Sequence, residues 1–271
     1  MIPIVNNTPE PFTEGHVDRR KTKQLGWQEA RLAVAHSQGA VTSRYGVTMG
    51  SCHEAGNHLL YCAIPASMGY KTKVHRLGDS ASWIAEQVNQ VLGLQGEYLI
   101  DCYHQCEYVA AAGQNFAPPT QPQAWIEQQQ TVAKQSRITE ILATLSPHLE
   151  SESISNKDAP VRSAYRYIQN HLDQFDYKSA QEAELPIGSG EVEGGHRSVI
   201  QERLKIPGSW WKEDNADHML ALRTLQANVD WNHSGITREQ SANGFNCTPA
   251  QNYCSAQCIS LVQCKVERDK F

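Results

Sequence analysis

Residues 186–206, PIGSGEVEGGHRSVIQERLKI, hold the densest group of side chains in this chain that could carry out chemistry. A Gly-Ser-Gly turn leads into a segment with helical patterning, whose first turn contains Glu191 and Glu193. A basic face follows in the same segment, with His196, Arg197, Arg203 and Lys205. The free amides of a helix N-terminus keep a carboxylate ionised, as a ligand of Mg²⁺ or Mn²⁺ must be. Carboxylates for a metal beside basic groups for phosphate form the layout of phosphodiester chemistry.

Asp79 is a second candidate because it follows a predicted strand in the run GDSASW. Gly78 and Ser80 allow a sharp turn that presents the carboxylate at the carboxyl end of the strand, where α/β sheets place their sites. The alternative is that Asp79 only caps the following helix.

Asp101, Cys102, His104 and Cys106 end the next predicted strand. A Cys-x-His-x-Cys run could bind Zn²⁺, but zinc knuckles usually show Cys-x₂-Cys spacing. The favoured interpretation is therefore a buried structural cluster beside the site.

The composition predicts a packed chain of 271 residues with 40% hydrophobic and 20% charged side chains. A formal net charge of −5 argues against a stand-alone nucleic-acid binder. No stretch approaches the roughly 18 uncharged apolar residues of a membrane span, and the N-terminal residues lack the features of a signal peptide. Without such a signal, the eight cysteines are expected to be reduced thiols in the cytoplasm.

Periodicity predicts a mixed-sheet α/β domain. Strands are expected at 1–5, 27–36, 45–49, 71–77 and 97–101, with a loop over 6–24. Helices are expected at 52–66, 82–92, 103–112, 190–205 and 213–229. The strand over 27–36 alternates and should be half-buried. Residues 117–185 are predicted to form an all-helical insertion, and residues 232–271 an irregular tail that contains cysteines.

Two further features each leave two interpretations open. The tail cysteines could bind a metal, but their spacings match no common zinc pattern, so a disordered tail is favoured; they are Cys247, Cys254, Cys258 and Cys264. Trp210 and Trp211 could stack on nucleobases, although a role in the core is the simpler interpretation.

Several stretches, taken together, resemble bacterial insertion-sequence transposases of the DDE superfamily, and most closely the Kra-type family, which has a Mutator-like layout. They are DRRKTKQLGWQEARLAVAH (18–36), LGDSASWI (77–84), LIDCYHQCEYV (99–109), IGSGEVEGGHRSVIQERLK (187–205) and ADHMLALRTLQAN (216–228). The resemblance covers residues 1 to about 231, and it lies in the order and spacing of these pieces.

The resemblance implies a ribonuclease H-like fold with a helical insertion before the last catalytic helix. Such enzymes hold two divalent ions, Mg²⁺ or Mn²⁺, with two Asp and one Glu. By motif match, Asp79 is the second Asp and Glu193 the Glu. Cys102 and His104 match a Cys/His element that supports the site, and His196 is expected to do the same. Glu191 is a weaker ligand candidate because i and i+2 on a helix face different ways.

The resemblance also implies that Arg197, Arg203 and Lys205 contact double-stranded DNA, both transposon ends and target. The expected setting is the nucleoid of the bacterial cytoplasm, with homo-oligomers formed by the full-length protein. In that family the first Asp lies directly before a segment like residues 1–5, so this chain is expected to be a fragment that lacks it. Asp18 is a poor substitute, and the chain alone is expected to be weakly active or inactive.

Two other functions stay open at this point. One is a non-catalytic DNA- or protein-binding remnant on the same fold, and the other is a structural domain stabilised by zinc.

Overall fold

The computed structural model describes residues 1–7, 23–93, 95–116, 122–229 and 257–263. The strands are β1 (Ile2–Asn7), β2 (Lys23–Gln28), β3 (Arg31–Ser37), β4 (Arg44–Thr48), β5 (Val74–Gly78), β6 (Tyr98–Ile100) and β7 (Gln257–Gln263). The α-helices are α1 (Cys52–Ala63), α2 (Ser82–Leu92), α3 (Cys102–Phe116), α4 (Pro122–Lys134), α5 (Ile138–Leu145), α6 (Pro160–Gln169), α7 (Tyr177–Glu182), α8 (Gly190–Gly195), α9 (Glu202–Leu204) and α10 (Glu213–Ala227). A π-helical turn, His196–Gln201, joins α8 to α9. The fold is mixed α/β, as the sequence predicts.

Five strands form the central sheet in the order β4-β3-β7-β5-β6. Strand β3 is antiparallel to both β4 and β7, whereas β5 is parallel to both β7 and β6. Strand β7 therefore joins the two halves of the sheet through backbone hydrogen bonds on both of its sides. The prediction of an irregular tail is wrong for residues 257–263, because this segment is the central strand.

The sequence predicts one half-buried strand over 27–36, but β2 ends and β3 begins within that segment. Strand β3 is buried on both faces: Leu32 and Val34 enter one core, and Ala33 and Ala35 enter the other. The half-buried assignment is wrong because other elements cover both faces of the sheet at β3.

Strands β1 and β2 pair antiparallel in a separate two-stranded sheet. Both extend into the range 6–24, which is predicted to be a loop throughout, so the prediction is wrong at the two ends of that range. On the other side of β1, the N–H of Val5 donates to the carbonyl of Trp211 at 2.7 Å, and the N–H of Trp211 donates to the carbonyl of Pro3 at 3.0 Å. These bonds fix the segment that follows α9 against β1.

One core lies between the central sheet and helices α1, α2 and α3, and the insertion extends it. Ile138, Ile141 and Leu145 of α5 are buried in that core together with Tyr177 of α7. Within its described part, the insertion contains helices and turns and no strand, in agreement with the prediction.

A second core lies on the opposite face of β3, against β1, α8, the π-helical turn and α10. The sequence of 213–229 predicts a core stripe of Ala216, Met219, Leu220, Leu222 and Leu225. Ala216 and Leu220 are buried in this core, whereas Leu222 is exposed. Helix α8, which carries Glu193, is therefore held in place by its packing in this core.

Candidate functional site

Asp79 directly follows β5, at the edge of the sheet where the parallel strand β6 also ends. Its carboxylate accepts the N–H of Ala81 at 2.8 Å, an interaction that turns the chain into α2. The hydroxyl of the buried Tyr98 donates to the backbone carbonyl of Asp79 at 2.6 Å. Burial is the main reason why the pKa of Tyr98 lies well above its ordinary value, and the nearby charges of Asp79 and Asp101 raise this pKa further. The phenol is therefore a neutral donor that holds the backbone at Asp79.

Asp101 follows β6 at the same edge and is almost fully buried. The N–H of Asp101 donates to the carbonyl of Gly78 at 2.8 Å, so the two strand ends are in contact. One carboxylate oxygen accepts the N–H groups of Tyr103 (2.7 Å) and His104 (3.3 Å), which caps α3. The other oxygen accepts the N–H of Ser189 at 2.8 Å and also its hydroxyl. Both oxygens of Asp101 are thus used for structure.

The turn before α8 is fixed to this edge at further points. The carbonyl of Ile187 accepts the N–H of Cys102 at 2.8 Å, and the carbonyl of Pro186 lies 2.7 Å from Nε2 of His75. A Cβ added to Gly188 would lie 2.5 Å from the ring of Tyr103, so the turn approaches α3 more closely than any side chain at that position would allow. These contacts hold residues 186–189 next to the ends of β5 and β6.

Glu193 and Glu191 point in different directions from α8, as their spacing predicts. Glu193 is exposed and makes no hydrogen bond or ion pair through its carboxylate to any residue that the structure describes. Glu191 lies 2.8 Å from Nε2 of His36 and accepts the hydroxyl of Ser43. Burial raises the pKa of Glu191, but the bonds from His36 and Ser43 outweigh it, so the pKa lies below its ordinary value. Of the two carboxylates, Glu193 is the one left open to a ligand.

His196 is buried, with 6% of its surface exposed, and the prediction that it belongs to a basic face is wrong. Its Nδ1 lies 2.9 Å from the side-chain amide of Gln201, five residues on, which matches the π-helical turn. Burial, assisted by the charges of the Met1 amino group and Lys205, lowers the pKa of His196 to about 4. The imidazole is therefore neutral near pH 7 and stabilises the bend between α8 and α9.

The burial of His196 has a sequence signal, since it shares the stripe of Val192, Val199 and Ile200, which are all buried. The spacing i, i+4, i+7 and i+8 is that of one helix face packed on a core. The other predicted basic residues differ: Arg197 and Arg203 are exposed, and Lys205 is partly exposed. The guanidinium of Arg203 lies 6.0 Å from the centre of the Trp211 ring.

The Cys/His element after β6 packs into the core. Cys102 and Cys106 are buried free thiols, and the hydrogen bond between them, together with burial, raises the pKa of Cys102. The ring of His104 lies edge-on to Tyr108, with ring centres 5.6 Å apart, and edge-on to Tyr167, at 6.0 Å. Two thiols buried in the core and a histidine packed on two aromatic rings favour the structural interpretation over a zinc site.

Among the described residues, no three or more His, Cys, Asp or Glu side chains are grouped so that they could hold a metal ion. Asp79 and Glu193 belong to segments that Asp101 and Ser189 connect, but Asp101 itself is used by four hydrogen bonds. The described donors therefore do not fit a centre with two divalent ions.

Other candidates lie outside the described residues. They are Asp18 and the tail cysteines Cys247, Cys254 and Cys264. Cys258 lies in β7, where its backbone pairs with His36 and His75.

In the part of the chain that the structure describes, every helix is too short or too polar to cross a membrane. Comparison with models of known protein families, with curated proteins and with solved structures finds no significant match for this chain.

Proposed function

We propose that this chain carries a ribonuclease H-like domain of the DDE transposase type, which binds double-stranded DNA at the edge formed by the ends of β5 and β6. One observation carries the proposal. Ser189 binds the carboxylate of Asp101 through two hydrogen bonds, so α8 with Glu193 is fixed to the edge at which Asp79 follows β5.

The order of the sheet supports the proposal. An antiparallel part, β4-β3-β7, continues into a parallel part, β7-β5-β6, and helices α4–α7 separate β6 from α8. These features support the proposal because the resemblance implies a mixed sheet, a helical insertion, and then the helix with the last carboxylate. The exposed Arg197 and Arg203 follow on from α8 and provide cations for DNA phosphates.

Asp79 and Glu193 are the proposed donors for Mg²⁺ or Mn²⁺, which would supply Lewis-acid stabilisation of the phosphate oxygens. Two carboxylates fit one weakly held ion rather than a pair. We therefore expect this chain by itself to bind DNA and to cleave it weakly or not at all. Assembly of the full-length protein into homo-oligomers is part of the same proposal, and light scattering with and without DNA measures it.

Titration of the protein with Mn²⁺ by calorimetry tests the carboxylates. Asp79→Asn and Glu193→Gln are each expected to weaken binding by about tenfold or more, because each removes one of two charged ligands. Glu191→Gln is the matched control. It removes a carboxylate of the same helix, and that carboxylate is already bound to His36 and Ser43. Equal Mn²⁺ affinity in all four proteins would refute the assignment of Asp79 and Glu193.

The second candidate is a DNA-binding domain without catalysis. It is favoured because no three metal-ligating side chains are grouped together among the described residues. It predicts that DNA binding weakens with salt and is unaffected by Asp79→Asn. Metal-dependent strand cleavage by the purified chain, lost in Asp79→Asn, would exclude this candidate and establish the first.

A further inference from the structure

Two tryptophans are exposed side by side on the face formed by β2 and the segment after α9. Trp27 is 60% exposed and Trp210 is 42% exposed, and their ring centres are 5.9 Å apart at 52°. With Pro3 and Lys205 they line an open cleft of about 180 Å³. We call this surface, together with the turn over 206–209, the tryptophan cleft. Neighbouring exposed aromatic rings with a polar rim are typical of an interaction site.

Backbone contacts fix the two segments that carry Trp27 and Trp210. Ile206, Pro207, Gly208 and Ser209 form a turn with φ of +79° at Gly208 and a bond of 3.0 Å from the N–H of Ser209 to the carbonyl of Ile206. This is a type II turn, with Pro and Gly at its two central positions.

Successive side chains of an extended segment point to opposite sides. Trp211 is bonded to β1 and packs against the second core, so Trp210 faces outward towards Trp27. On the other wall, Trp27 pairs with Pro3 in the β1–β2 ladder. The cleft is therefore present before any ligand binds, and a ligand need not order it.

The charge of the tryptophan cleft selects the ligand. Lys205 lines it, and no acidic side chain is among its described lining residues. Its volume is below the roughly 300–1,000 Å³ of pockets for drug-sized molecules, so a planar ring fits better than a folded ligand. Aromatic faces beside cations are the elements that bind unpaired nucleobases and their phosphates.

We infer that the tryptophan cleft binds an unpaired base of a single DNA strand by stacking on Trp27 or Trp210, with Lys205 at an adjoining phosphate. This goes beyond the metal-dependent chemistry of the carboxylates. It rests on the proposed function only in taking DNA as the ligand. In that setting the cleft would hold a strand end or a base freed from its partner.

Fluorescence anisotropy with the full chain and a labelled oligothymidylate of about 10 nucleotides tests the inference. Trp27→Ala and Trp210→Ala are each expected to weaken binding by about fivefold or more, since a stacked base contributes at least that factor. Trp27→Phe should retain most of the affinity because it keeps a ring. Tyr70→Ala is the matched control, since Tyr70 is a 96% exposed aromatic residue outside the cleft.

A strand of the same length without bases separates stacking from charge. We expect it to bind more weakly than oligothymidylate and to respond equally little to Trp27→Ala and Tyr70→Ala. Equal affinity of both strands for the unchanged protein would overturn the inference, and so would loss of self-association, rather than of DNA binding, in Trp27→Ala. If duplex DNA binds while oligothymidylate binding ignores both tryptophans, the cleft inference fails alone. If neither DNA binds, the proposed function fails with it.

Discussion

The buried carboxylate of Asp101 binds both the N–H and the hydroxyl of Ser189, a residue 88 positions further along the chain. The same carboxylate caps α3 through two backbone amides. A single side chain therefore begins one helix and fixes the turn that begins another. Because α8 carries Glu193, Asp101 acts as a positioning residue for the proposed site.

Replacing Asp101 should cost stability before it affects chemistry. Asp101→Asn is expected to lower the free energy of unfolding by about 2–4 kcal/mol, because buried donors lose a charged acceptor. Ser189→Ala, which removes only the hydroxyl, should cost about 1–2 kcal/mol. Urea unfolding measures both, with Glu107→Gln as a control because Glu107 is largely exposed. Full stability of Asp101→Asn would contradict the structural role.

Neighbouring glycines in α8 should respond in opposite ways to alanine. A Cβ on Gly195 would lie 2.6 Å from the Tyr45 ring and 3.2 Å from Leu32, whereas a Cβ on Gly194 meets nothing within 4 Å. Gly195→Ala should therefore destabilise the protein by about 1–3 kcal/mol through overpacking. Gly194→Ala should stabilise it by up to about 1 kcal/mol, since alanine favours helix. Thermal unfolding of the pair is the measurement, and a similar response at both sites would mean that α8 does not pack closely on β3 and β4.

The buried His196 should make stability depend on pH in mild acid. Its pKa is about 4 in the folded protein against an ordinary value of 6.5, so between these values the unfolded chain binds a proton that the folded chain does not. The free energy of unfolding should therefore fall as the pH falls through this window, by up to about 3 kcal/mol.

Urea unfolding at a series of pH values measures the contribution of His196, with His196→Asn as the comparison. Asparagine keeps an acceptor for Gln201 but does not titrate, so the variant should lose less stability than the unchanged protein between pH 6.5 and 4. Parallel pH profiles of the two proteins would show that His196 is not buried in neutral form.

His36 and Glu191 should be energetically coupled, because their side chains lie 2.8 Å apart with His36 only 16% exposed. A double-mutant cycle of His36→Gln and Glu191→Gln is expected to give a coupling of about 0.5–1.5 kcal/mol, reduced by the solvent around Glu191. If the effects of the two changes are additive, the contact between Glu191 of α8 and His36 of β3 does not form. Since Glu193 does not take part in the pair, Mn²⁺ binding should be the same in both single variants.

Patterns that act over a few residues identify much of this fold. The period of Ile84 and Val88 marks α2, and the bounds of that helix agree with the prediction. The strand ends before Asp79 and Asp101 are predicted to within a few residues, because turn residues and apolar runs mark them locally. The different directions of Glu191 and Glu193 also follow from helix geometry alone.

Long-range contacts decide the rest, because they depend on which surfaces meet. Residues 257–263 have no strong local signal, yet pairing with β3 and β5 makes them the central strand. The use of both Asp101 oxygens depends on Ser189, which lies far away in the chain. The sequence by itself determined which carboxylates and basic groups this protein has and the helices and strands on which most of them lie. The tertiary structure alone decided that Asp101 is a structural bond, that Glu193 is open and that Trp27 faces Trp210, since burial and pairing are properties of the whole packed chain.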